Sequence, residues 1–142
     1  MDIERHLVMD SANFKPIISR VVAQGDRVYV CGITGDPVGD VTAQTRQALE
    51  RIDDLLARAG TDKSRLLTAQ VWLSDMALFR THNVAWNEWV DREHPPARAC
   101  VQAPTARIAV AWASTTSPAG AVASTRSRDR SRAVLLIAPP SP

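Results

Sequence analysis

Residues 40–60 read DVTAQTRQALERIDDLLARAG, and this stretch decides the fold. Val41, Thr45, Ala48, Leu49, Ile52, Leu55, Leu56 and Ala59 recur at helical spacing and gather on one side of a helix. Asp40 is a good N-cap, because its carboxylate can accept from amides of the first turn that have no partner within the helix. Gly60 supplies a residue that tolerates the left-handed backbone at a helix end. The spacing predicts a helix over 41–59.

Downstream, Leu67, Ala69, Val71 and Leu73 alternate with Thr68, Gln70 and Trp72, the pattern of a strand with one face on a helix layer. Ser74 is expected to cap a second helix, along which Met76, Phe79, Asn83, Trp86 and Val90 fall at steps of three and four. Asn83 then sits on the buried stripe, where an unpaired amide is costly. Either a structural network satisfies it or it faces a site. Pro95 and Pro96 force an extended backbone, and Ala97–Gln102 reads as a short strand with Arg98 in its middle. A guanidinium on a rigid strand suits bidentate capture of a small carboxylate or phosphate. A rim arginine paired with a surface glutamate is the alternative.

Upstream, residues 3–9 and 17–23 hold short apolar runs. Gln24-Gly25-Asp26 is a turn signal, and 27–31 is β-branched and aromatic, so 17–31 reads as a hairpin. Gly32 opens a loop that also contains Gly35, Pro37 and Gly39. The resulting order, β-β-β-α-β-α-β, predicts an α+β fold with both helices on one face of a mixed sheet. Ile108, Val110 and Trp112 alternate with alanine and offer a further, last strand. One domain over 1–116 is expected, followed by an irregular Ser/Arg/Pro-rich tail over 117–142, its apolar patch Ala133–Ala138 included.

At 142 residues the chain can bury a real core, and 45% apolar with 23% charged residues is ordinary for a soluble domain. No run approaches the roughly 18 apolar residues of a membrane span. The opening Met-Asp-Ile-Glu-Arg-His is acidic where a signal peptide would be basic, so a cytoplasmic protein is expected. Cys31 and Cys100 make neither a disulfide framework nor a metal pair, and His6, His82 and His94 lack ligand spacing. Structural or surface roles are expected for all three histidines, with no metal. The net charge of +2 is unevenly spread: after Gln102 five arginines stand against Asp129, leaving 12 basic and 14 acidic residues before it. The body is mildly acidic, which argues against nucleic acid as a partner.

Asp40-Val41 through Gln44, Arg46-Gln47, Leu49, Ala59-Gly60, Val71, Asp75, Phe79, Asn83, Pro96-Ala97-Arg98 and Cys100-Val101 together resemble the RidA family. These are small reactive-intermediate deaminases, also called YjgF or L-PSP proteins. Trp86-Asn87-Glu88-Trp89-Val90 further resembles its YoaB-like branch, and the likeness runs from about residue 16 to 102. The resemblance implies a chorismate-mutase-like fold and a homotrimer with clefts between subunits. It also implies cofactor-free hydrolysis of enamines and imines, such as 2-aminoacrylate, to 2-keto acids and ammonia. By position Arg98 would grip the substrate carboxylate, with Cys100 beside it as the second catalytic position. Gly32, Cys31 and Asn83 would line the substrate, and Ile18 falls where relatives place a covering aromatic.

Two departures bear on activity. Ile18 cannot stack on a substrate, and 107–113 offers alanines where the family's last strand carries a water-activating acid. Without that general base, about 10²–10⁴-fold of rate would be missing. Three readings follow: a deaminase, weakened; a non-catalytic trimer that binds small carboxylates; and, behind both, an endoribonuclease. The resemblance also stops at Gln102, where the composition changes. A shifted reading frame beyond that codon would produce this. Translation of the coding DNA in all three frames tests the idea, and absence of an acidic strand from every frame would make the tail native.

Overall fold

The computed structural model describes residues 2–9, 16–104, 113–115 and 133–137. Strands β1 (Ile3–Met9), β2 (Ile18–Gln24) and β3 (Arg27–Val30) form an antiparallel meander. The β2–β3 turn is the two-residue Gly25-Asp26, in which Gly25 takes φ 61°, a conformation that favours glycine. Helix α1 (Val41–Arg58) follows, then β4 (Leu66–Leu73), α2 (Phe79–Trp89) and β5 (Ala97–Gln102), which pairs parallel to β4. The predicted order β-β-β-α-β-α-β is the observed one. It builds a mixed α+β fold with two helices.

Asp40 caps α1 as its position requires, its carboxylate accepting from the Ala43 amide at 2.8 Å. Val21, Val28 and Val30 of the meander, Leu49, Ile52 and Leu56 of α1, Ala69, Val71 and Leu73 of β4, and Trp86 of α2 form one buried cluster. Opposite residues of a parallel pair share a face, and Ala69 lies beside Arg98 and Val71 beside Cys100. Arg98 and Cys100 therefore project toward the helices, with the core residues of β4.

Three local expectations need correction. Leu66, not Leu67, is buried at the start of β4, because a register shift between Leu66 and Thr68 reverses the side-chain alternation there. The cap before α2 is Asp75 rather than Ser74: its carboxylate accepts from the Ala77 amide and opens a 3-10 turn, Met76–Leu78, that leads into the helix. Met76 is 38% exposed, and the fully buried side chain of α2 is His82, not Asn83, which is half-buried.

The tail also departs from expectation. Ala133–Ile137 forms strand β7, running parallel to β4 from Leu66↔Ala133 to Val71↔Ile137 and touching β3 at Tyr29↔Val134. Its Ala-Val-Leu-Leu-Ile run has no polar alternation, as suits a strand between two neighbours. A short β6 (Ala113–Thr115) bridges β3 and β4 antiparallel, so both segments serve the gap between the two halves of the sheet. The expected last strand around Ile108, Val110 and Trp112 lies outside the described residues, as do 117–132 and 138–142.

Candidate functional site

The segment before β5 is drawn tight by Asp91, whose carboxylate accepts from the amides of Glu93 (2.8 Å) and His94 (2.9 Å). Pro95 and Pro96 then deliver an extended chain into β5. At the other end of β5, the Gln102 side chain accepts from the Met76 amide at 3.1 Å, tying the strand to the approach to α2. Arg98 is thus carried on a strand anchored at both ends.

The Arg98 guanidinium donates to Asn83 Oδ1 at 2.7 Å. It lies 4.7 Å from the ring centre of Trp86 and 5.9 Å from that of Phe79, within range of attraction to an aromatic face. Among the described residues no carboxylate pairs with it. The rim-arginine alternative has no partner on which to stand. Asn83 accordingly spends its carbonyl on orienting the guanidinium. Both readings offered for that amide meet here, since its network is the site.

Around this pair opens a pocket of about 450 Å³, lined by Met76, Phe79, Trp86, Asn87 and Cys100 besides Asn83 and Arg98. Burial pushes the Cys100 thiol up, with the Arg98 charge working against it, so the thiol is protonated at neutral pH. A protonated, half-buried thiol is a poor nucleophile. The pocket offers one fixed cation, two amides, one thiol and aromatic walls. It can hold a small anion that carries an apolar body.

Of the six residues singled out from sequence, Arg98, Asn83 and Cys100 come together. Gly32, Cys31 and Ile18 do not join them within the chain. Gly32 lines a separate cavity of about 690 Å³ with Arg20, Arg51 and Leu55. Cys31 donates its amide to the Arg20 carbonyl at 2.9 Å, and burial pushes its thiol up despite the Arg20 charge. Ile18 pairs with Met9 and is 37% exposed. The loop from Gly32 is strapped to α1 by Arg51, which donates to the Thr34 carbonyl at 2.6 Å and to Asp36 at 2.8 Å. Arg51, with Gln47, holds the Asp36 carboxyl below its usual range.

Of the two roles expected for His82, structural or surface, the structure gives it the buried one. It is wholly buried, its Nδ1 lies 3.0 Å from Thr45 Oγ1, and its Nε2 has no partner among the described residues. Burial, then the Arg98 charge, push its pKa down to about 4, leaving a neutral imidazole. A signal existed in Thr45: a hydroxyl on the buried stripe of α1 needs a partner.

A family model described as Endoribonuclease L-PSP matches residues 14–111. The chain belongs to the L-PSP family. Among curated L-PSP relatives, a RutC family protein of Haemophilus influenzae is 52% identical over 60 residues, 42% of this chain and 52% of its own length. The chain thus spans about half the length of that relative. YoaB of Escherichia coli, also a RutC family protein, is 36% identical over 85 residues, 60% of this chain and 75% of its own. A crystal structure of a YjgF family member from Neisseria meningitidis superposes with a TM-score of 0.65 at 30% identity, covering 82% of this chain and 92% of that one. A crystal structure of an uncharacterized protein from Pseudomonas aeruginosa gives 0.66 at 29%, covering 81% and 96%. The chain has the chorismate-mutase-like fold that the family resemblance implied. Among the described residues no helix is long and apolar enough to cross a membrane.

Proposed function

We propose that this L-PSP chain hydrolyses small 2-imino acids and their enamine tautomers to 2-keto acids and ammonia. The observation that carries this reading is Arg98, a half-buried guanidinium with no carboxylate partner among the described residues, oriented by Asn83 and set over Trp86. A relative, TdcF of Escherichia coli, is named as a candidate reactive intermediate deaminase and is 28% identical over 87 residues.

The chemistry asks little of the protein. A protonated imine carbon is already electrophilic. Water adds to it, a proton moves from oxygen to nitrogen, and the carbon–nitrogen bond breaks to release ammonium and the keto acid. Arg98 would fix the carboxylate, and a stationary carboxylate presents the neighbouring carbon to water. Met76, Phe79 and Trp86 would receive the side chain. Cys100 contributes a neutral thiol edge rather than a nucleophile.

Gly32, Cys31 and Ile18 take part in this reading only across a subunit boundary. A homotrimer would bring those positions of one copy to the Arg98 pocket of the next. An exposed edge supports such an assembly: among the described residues β5 is the last strand of the sheet, and Val101 on it is 40% exposed. Light scattering on the eluting protein tests the trimer.

Activity is tested with 2-aminoacrylate generated in place, by following keto acid and ammonia. Arg98→Ala should weaken carboxylate binding by about 2–5 kcal/mol, part of it from Asn83 left without its donor. Unchanged turnover in that variant would end the proposal. A second reading, a binder without turnover, is favoured by the alanines at 107–113 where a base would stand. Calorimetry showing Arg98-dependent binding of 2-ketobutyrate without turnover would select it. Endonuclease chemistry draws no support from the histidines, since His82 is buried and His6 and His94 lie elsewhere, beside Glu4 and Asp91.

A further inference from the structure

Resting on Arg98 as an anion site, we propose that His82 is a positioning residue of that site. It sits against Thr45 and fixes the turn of α2 that carries Asn83, while proton binding at its imidazole and anion binding at Arg98 favour one another.

The geometry is two hydrogen bonds joined by one peptide link. Thr45 Oγ1 on α1 meets His82 Nδ1 at 3.0 Å, the next residue is Asn83, and Asn83 Oδ1 holds Arg98 at 2.7 Å. The seam between the helices is thereby joined to β5 through two consecutive residues. An imidazole buried with one nitrogen unsatisfied is less stable than an apolar side chain of similar size. Nothing in the packing of an apolar core calls for it.

Among the described residues, the charges around His82 are few. From α1 the group in contact is the neutral hydroxyl of Thr45. Arg46 is paired with Glu88 at 2.8 Å with both side chains half exposed. Asp53 accepts from Trp89 Nε1 at 2.8 Å and stands eight residues beyond Thr45, roughly 12 Å along the helix. β4 contains no ionisable residue. β5 presents Arg98 and the protonated Cys100. Arg98 is the charge that His82 feels, and with burial it keeps the imidazole neutral. An anion on Arg98 offsets that charge and so eases protonation of His82. Linkage requires the converse: a protonated His82 tightens the anion.

The full chain tests this in two ways. Proton NMR follows the imidazole titration, with His82 assigned by its loss in His82→Met. Arg98→Gln should move the midpoint up by about one unit, and so should 2-ketobutyrate added to the unaltered chain. A midpoint unmoved by both overturns the proposal. Calorimetry with 2-ketobutyrate, a strong enough acid to remain ionised, should show affinity rising about threefold from pH 7 to pH 4.5. His82→Met, close in size and apolar, should bind several-fold more weakly at pH 7 and lack that rise. Equal affinity and an equal pH profile in the variant overturn the positioning role but leave the anion site standing. Absence of binding by the unaltered chain overturns both.

Discussion

At the scale of single residues, His82 sets how the protein meets acid. Its pKa is about 4 when folded against an ordinary 6.5, so the unfolded chain binds the extra proton first. Stability is therefore full above about pH 6.5 and declines as the pH falls toward 4, by about 3 kcal/mol in all. Thermal melts across that window should show the decline in the unaltered chain and little of it in His82→Met. Asp36, which is exposed, and Asp91, which is partly buried, are both held below the ordinary carboxylate range, so they respond only in stronger acid. Arg98 and Asn83 were legible because each is polar where its neighbours are apolar. His82 was not, because a stripe drawn through Asn83 leaves its neighbour on the flank. Trp86 stays buried on that stripe, but the burial widens to the flank at His82 and Ala85, and only a partner on another helix reveals it.

At the scale of elements, the contact between the 31–39 loop and α1 is the tightest constraint. A Cβ added to Gly35 would sit 2.5 Å from the Gln44 carbonyl oxygen and 2.8 Å from its Cα, both backbone atoms that cannot swing aside. Gly35→Ala should push the loop off α1 and strain the contacts of Arg51 and Gln47 with Asp36. A loss of about 2 kcal/mol or more is expected, read as a lower denaturation midpoint. Periodicity showed α1, β4 and β5 because each repeats its pattern over enough residues. It misplaced ends. Ser74 and Asp75 are both good capping types, and local sequence cannot choose between neighbours. The parity of β4 slipped at a bulge, which belongs to strand pairing and leaves no local mark.

At the scale of the whole molecule, the join between β3 and β4 depends on the far end of the chain. A chain ending after residue 116 would lose β7 and its run of partners along β4. It should melt lower by about 3 kcal/mol or more, counting roughly 0.5–1.5 per ladder hydrogen bond. An unchanged melt would show that β7 adds nothing to the fold. Local reading missed β7 because its five apolar residues follow an Arg/Ser-rich stretch that suggests a solvated tail. Where such a run docks depends on an open slot elsewhere. That slot also has a consequence for biosynthesis. Leu66 leaves the ribosome long before Ala133, its neighbour in the finished sheet. A nascent chain with five strands and both helices already made must hold two unsatisfied inner edges open until residues 113–137 emerge, which makes it a natural client for a holding chaperone.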